Sequence, residues 1–218
     1  MKTITFSDPH RQKHFAFFQG MEMPHFSLVA HIPFAATYDY IKAHRLHFTS
    51  TVVYLISRAA NAIPELRWRI RGDLVVEHEV VHPSFSVQTE VSDVFSFCYV
   101  DYSPDYGTFA RAAQTAIGSM QASPSLEDHP DRDDYLFLSS IPWVHFTGLT
   151  HAMRIAGVDS VPRITWGKLG PGEDGRDLPI GIQAHHGVVD GKHAGAFYEI
   201  FTALCARPET ALAGEEEH

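Results

Sequence analysis

Cysteine is scarce in this chain. Cys98 and Cys205 are the whole complement in 218 residues. Two are too few for a disulfide framework, and both sit in apolar stretches, as buried free thiols do. A basic stripe is missing as well: 17 Lys and Arg stand against 26 Asp and Glu, a formal charge of −9. A phosphate backbone rewards clustered cations, so a nucleic-acid partner is excluded. There is no long apolar run. The most apolar stretch, Thr51 to Ile63, is interrupted by Arg58 and is too short to span a bilayer. Met1 to His14 is polar and lacks the apolar core of a secretory leader. These absences leave a cytoplasmic protein with no membrane contact.

What is present can build a core. Hydrophobic residues make up 44% of the chain and aromatic residues 12%, which excludes disorder over most of its length. The length fits one domain, and no repeat or linker divides it. The one compositional oddity is fifteen histidines.

Asp8 and Pro9 are suited to open a helix that runs to about Gln19 and stops at Gly20. Phe26, Leu28, Ala30 and Ile32 alternate as one face of a strand. Helices are expected at about 35–45 and 50–63, the second ended by Pro64. The hairpin 67–71/74–78 turns at Gly72-Asp73, and residues 84–89 and 94–101 read as further strands. A helix at 105–121 precedes a Pro-, Ser- and Asp-rich loop over 122–134. Four strands follow at 135–140, 143–149, 161–169 and 178–186, and a helix closes the pattern at about 192–206. The predicted fold class is α+β, a two-layer sandwich with one large mixed sheet and helices packed on it. A single domain spans 1–206, and the acidic stretch 207–218 reads as a flexible tail.

The chemistry-bearing segment is Gln183-Ala184-His185-His186-Gly187-Val188-Val189-Asp190-Gly191, at the junction of the last strand and last helix. Catalytic groups favour such junctions. An imidazole with a pKa near 6.5 is largely neutral at cellular pH and suits a general base. A structural histidine is the plain alternative, and H-x-x-x-D-G alone is a weak motif. A metal site built from His185, His186, Asp190 and His193 is disfavoured. Adjacent strand residues point to opposite faces, so the two neighbouring imidazoles do not easily share an ion. No metal is expected.

The motif has company. His10-Arg11-Gln12-Lys13-His14-Phe15, Phe26-Ser27-Leu28, Ile63-Pro64-Glu65-Leu66-Arg67, Ser139-Ser140-Ile141-Pro142-Trp143-Val144-His145-Phe146, Ile164-Thr165-Trp166-Gly167-Lys168 and His185 to Gly191 with His193 occur in this order. Together they resemble the type A chloramphenicol acetyltransferase family over roughly residues 3 to 206. The motif is shared with peptide-synthetase condensation domains, plant acyltransferases and the acyltransferase core of 2-oxoacid dehydrogenase complexes. The first two carry it in doubled chains, and the third usually follows lipoyl modules.

The resemblance implies a trimer with active sites between subunits and direct acetyl transfer from acetyl-CoA to a hydroxyl of chloramphenicol, hence antibiotic resistance. His186 corresponds to the catalytic base, while His185 faces away and packs. Ser139 corresponds to the hydroxyl that stabilises the oxyanion, with Ser140 the competing neighbour. Asp190 and Arg11 correspond to a structural ion pair that holds the active-site loop. Thr165 and Lys168 correspond to the strand that lines the CoA tunnel, where Thr165 holds a water. Leu169 departs from the tyrosine usual there. The acceptor pocket keeps Phe26 but departs at Phe18, where the family has tyrosine, and at Leu149, His151 and Arg163. Strand alternation puts Arg163 on the face of Thr165, so a positive charge beside the acceptor is one reading and an arginine reaching solvent the other. These departures leave two alternatives open: the same chemistry on a different small alcohol, and a non-catalytic module that binds small ligands.

Overall fold

Local signals start the elements. In this computed structural model, which describes residues 1–127, 132–153, 159–173 and 175–213, Asp8 accepts the His10 N–H at 2.9 Å and caps helix α1, Pro9–Gln19. The His47 ring accepts the Ser50 N–H at 3.2 Å, so α3 begins at Phe48 rather than at Ser50 and runs to Asn61. A short helix α2, Ala35–Ala43, precedes it, and the 3-10 turn Pro64–Arg67 follows it. Asp105 caps α4, Tyr106–Ala122. Asp190 caps α5, Gly191–Ala206.

The strands are β1 (Lys2–Ile4), β2 (His25–Pro33), β3 (Trp68–Arg71), β4 (Leu74–Glu77), β5 (His82–Val87), β6 (Ser96–Tyr99), β7 (Tyr135–Ile141), β8 (Arg163–Gly167) and β9 (Asp177–His185). They form two sheets, not one. Six strands lie in the order β2-β9-β8-β7-β5-β6, with β8, β7 and β5 parallel and the other pairings antiparallel. A separate antiparallel sheet, β1-β4-β3, pairs the unforeseen strand Lys2–Ile4 with the hairpin. Gly72 makes that hairpin turn at φ +61°, a conformation that side chains with a Cβ rarely adopt. The buried Arg69 joins the two sheets by donating to the carbonyls of Leu66 and Trp68 beside the hairpin and of Asp133 and Tyr135 at the start of β7.

The strand expected over 143–149 does not form. Pro142 supplies no N–H to extend β7, which is paired on both sides, and the chain turns out of the sheet there. Trp143 and Val144 are exposed while Phe146 is buried. The stretch becomes a loop laid back over the sheet, held where Phe146 O meets His31 Nε2 at 3.0 Å. The stretch 207–218, expected as a tail, opens with helix α6, Pro208–Ala211, which buries Ala211 and Leu212. Residues 128–131 of the expected loop and 214–218 of the tail lie outside the described residues.

Register sorts the large sheet into two faces. Phe85, Leu138, Ile164 and Ile182 are lateral neighbours and face the helices, in one core with Phe197 and Phe201 of α5. The opposite face carries Ser139 beside Thr165, and Arg163 beside Gln183, which lies next to Ser27. An apolar face covered by helices is what a two-layer fold requires. A polar face covered only in part by a loop is what a site or a partner requires.

Candidate active site

The turn after β9 is shaped by His185. Its Nδ1 accepts the Gly187 N–H at 3.1 Å, and its carbonyl accepts the N–H groups of Val188 and Val189. The imidazole is 3% exposed. Burial, reinforced by the neighbouring His25 ring, pushes its pKa down to about 4, so it is neutral at cellular pH. As expected of the first histidine of the pair, it is a packed structural residue.

His186 turns the other way. Its N–H donates to Pro24 O at 2.8 Å, tying it to the entry of β2. Its ring stacks on Phe18 of α1, centroids 4.1 Å apart at 16°, and contacts Phe26 at 4.8 Å. Among the described residues no hydrogen bond occupies Nε2. Nδ1 is shielded from water and looks toward Asp190 Oδ2, 3.8 Å away.

Asp190 caps α5. Its Oδ1 faces the Lys192 N–H at 3.4 Å, and its own N–H donates to His193 Nδ1 at 2.9 Å, a reciprocal cap. Burial pushes the carboxyl up, but the Lys192 N–H and the imidazoles of His186, His14 and His193 outweigh it and hold the group below the usual carboxylate range. The expected ion pair with Arg11 is not made. The Arg11 guanidinium donates to Val188 O at 2.6 Å, approaches His14 Nδ1 at 3.1 Å, and lies over the Phe6 and Trp68 rings. His14 stands between the two charges, with Nε2 3.4 Å from Asp190 Oδ2. Arg11 thus holds the loop through a carbonyl and through His14.

Ser139, Thr165, His151, Arg163 and Leu149 gather elsewhere, on or over the polar sheet face. Ser139 Oγ is 3.4 Å from Ser86 Oγ of β5, which also accepts the Ser140 N–H at 3.3 Å. The Thr165 hydroxyl meets His151 Nε2 at 2.9 Å, and the His151 N–H donates to Gln183 Oε1 at 2.7 Å. Burial, with Arg163 nearby, lowers the pKa of His151. Arg163 is mostly buried and its charge is paired: Asp159 holds its guanidinium at 2.6 Å and the Phe137 ring lies beneath it. Leu149 packs at Gly181. Lys168 is exposed just past β8, its backbone bonded to Val144 and His145.

The expected residues therefore form two constellations. Phe18, Phe26, Asp190 and His186 belong to one; Ser139, Thr165, His151, Leu149 and Arg163 belong to the other. Ser139 and Thr165 share the face of Gln183 and His185. His186 packs beside Phe26, which shares the other face with Ala184. His14, Ser86 and Gln183 take part without having been singled out.

His14, His186 and Asp190 bring three ligand-type atoms within 4.8 Å of one another. The tautomer of His14 argues against a cation there. Arg11 can only donate, so Nδ1 of His14 must accept and the proton sits on Nε2, the atom a metal would need.

Comparison with known proteins bears on the family and the fold. A sequence model described as "CAT: Chloramphenicol acetyltransferase" matches residues 1–201. The chain is 28% identical over 190 residues to a chloramphenicol acetyltransferase of Bacillus pumilus, covering 87% of this chain and 86% of that one. It is 29% identical over 199 residues to chloramphenicol acetyltransferase 2 of Escherichia coli, covering 90% and 92%. A solved chloramphenicol acetyltransferase superposes with a TM-score of 0.81 at 24% identity, covering 94% of this chain and 99% of that one. A dihydrolipoamide acetyltransferase of Azotobacter vinelandii shares the fold at a TM-score of 0.69 and 14% identity, covering 93% and 89%.

Proposed function

The chain belongs to the chloramphenicol acetyltransferase family, and on that premise we propose that it transfers acetyl from acetyl-CoA to a hydroxyl of chloramphenicol. The observation that carries this reading is His186. Stacked on Phe18, with Nδ1 toward a carboxylate and Nε2 unoccupied by any described residue, it is oriented as a base.

In this reaction Nε2 takes the proton of the acceptor hydroxyl as its oxygen attacks the thioester carbonyl. The Ser139 hydroxyl donates to the oxyanion of the tetrahedral intermediate. Collapse breaks the carbon–sulfur bond, and the imidazolium returns the proton to the departing CoA sulfur. No acetyl-enzyme forms, because both substrates are held together in one ternary complex. Thr165 and Lys168 lie along the CoA path. Phe18, Phe26, Leu149 and His151 line the acceptor pocket, with Arg163 supporting it from its ion pair with Asp159. No metal takes part.

The division into two constellations supports a homotrimer in which His186 of one subunit works with Ser139 and Thr165 of its neighbour. A heterologous interface closed by threefold rotation produces three such sites. Among the described residues no helix is long and apolar enough to cross a membrane, and the enzyme acts in the cytoplasm. Acetylation removes a hydrogen-bond donor from the drug and so confers resistance. A second reading, the same transfer to a different small alcohol, is favoured by Phe18 and by the His151–Thr165 contact, which alter the polar groups offered to the acceptor.

The experiment is thiol release from acetyl-CoA with and without chloramphenicol, run beside His186→Ala. Chloramphenicol-dependent release that disappears in the variant establishes acceptor and base together. Release only with other alcohols moves the protein to the second reading. Turnover above about a tenth of wild type in His186→Ala would remove the base assignment.

A further inference from the structure

Two ring nitrogens beside Asp190 are buried without a hydrogen-bond partner: His14 Nε2 and His186 Nδ1. Buried polar atoms left this way in a native fold call for an explanation. Both face the same oxygen, Asp190 Oδ2, at 3.4 and 3.8 Å. The proton of His14 is located by chemistry. Arg11 Nη1, 3.1 Å from His14 Nδ1, is an obligate donor, so Nδ1 accepts and Nε2 bears the hydrogen on the carboxylate side. The His14 ring also meets His186 edge-on at 5.5 Å and Phe18 at 4.9 Å.

We infer that His14 is a positioning residue, which carries the hold of Arg11 on to Asp190 and fixes the carboxylate where it selects the Nδ1–H tautomer of His186. That tautomer leaves the Nε2 lone pair for the acceptor hydroxyl, so the inference rests on the general-base reading above. The contact at 3.4 Å is long, as catalytic contacts often are before substrate binds. Burial, with Arg11 and His186 adding to it, lowers the pKa of His14, so it stays neutral and donates a single hydrogen there. The groups that face Asp190 are His14 and Arg11 from α1, His186 from the turn, Lys192 and His193 from α5, and, beyond His193, Glu65 from the 3-10 turn.

The test uses His14→Phe, which keeps a ring and removes both polar contacts, and His14→Gln, whose amide can accept from Arg11 and donate to Asp190. Wild type and His186→Ala run alongside. His14→Phe is expected to lose about tenfold in kcat with KM for both substrates little changed, and His14→Gln to recover most of it. Nitrogen-15 NMR of wild type should show the Nδ1–H tautomer of His186. An Nε2–H tautomer in wild type overturns the inference, even if His14→Phe does not fold. So does His14→Phe with wild-type kcat, or equal losses of kcat in His14→Phe and His14→Gln. If His186→Ala keeps turnover, the general-base reading fails instead, and the tautomer measurement still decides the role of His14.

Discussion

The Phe18 ring lies flat against the imidazole of His186, centroids 4.1 Å apart and planes 16° apart. The aromatic face substitutes for a rigid hydrogen bond in fixing the plane of the base. A freed imidazole would sample orientations unable to reach the hydroxyl, and small misplacements of reacting groups are costly. Phe18→Ala should therefore lower kcat by about tenfold or more. Circular dichroism should remain that of wild type, because Phe18 is only partly buried and α1 is capped independently by Asp8. Steady-state kinetics check this, and an unchanged kcat would show that the stack is incidental.

Ser139 and Ser86 share one polar contact across β7 and β5. Removing an oxyanion donor typically costs about 10²–10³ in rate, and Ser139→Ala should fall in that range with CoA affinity retained. Ser86→Ala removes only the neighbour that orients Ser139 and braces the Ser140 N–H, so its loss should be several-fold and confined to kcat. A Ser86→Ala defect as large as that of Ser139→Ala would assign the oxyanion contact to the wrong serine.

Acid should destabilise the fold before it disables single groups. His185 has a folded pKa of about 4 against an ordinary 6.5. Above pH 6.5 neither folded nor unfolded chain protonates it, and its contribution to stability is complete. As pH falls from 6.5 toward 4 the unfolded chain binds a proton that the folded chain refuses, and stability drops by about 1.4 kcal/mol per pH unit from this residue. His14, His25, His151 and His193 are lowered by burial too and add in the same direction. Thermal unfolding between pH 7.5 and 5 should show a falling Tm, with a shallower slope in His185→Gln. A Tm independent of pH over that interval would contradict the buried neutral state.

Where local chemistry decides, the sequence was readable. Asp8-Pro9 starts a helix where the capping rules indicate, and the helices expected at 105–121 and about 192–206 form at Tyr106–Ala122 and Gly191–Ala206. Alternation along β8 put Arg163 and Thr165 on one face, as observed. What escaped depends on contacts distant in the chain. Strand Lys2–Ile4 is too short to show a period and exists because β4 offers it an edge. The stretch 143–149 has strand composition, but Pro142 ends the ladder ahead of it. His14 stood within a recognised block, yet its place between Arg11 and Asp190 follows from the packing of α1 on the turn after β9. Ser86 had one available signal, a polar residue alternating with Phe85 and Val87 in a strand.

The separation of His186 from Ser139 within one chain makes the subunit arrangement testable by mixing. The two side chains lie on opposite sides of the large sheet, so a site that uses both must draw them from two chains. Co-expressed His186→Ala and Ser139→Ala chains are each inactive as homo-oligomers. In a cyclic trimer every interface pairs one chain's base with the next chain's serine, so each trimer that holds both variants has both groups intact at one of its three interfaces. A mixture assembled from differently tagged chains and purified through both tags should recover activity well above either parent, in proportion to those interfaces. If base and serine instead worked within a single chain, no mixed trimer would hold an intact site, and the doubly purified fraction would be as inactive as its parents.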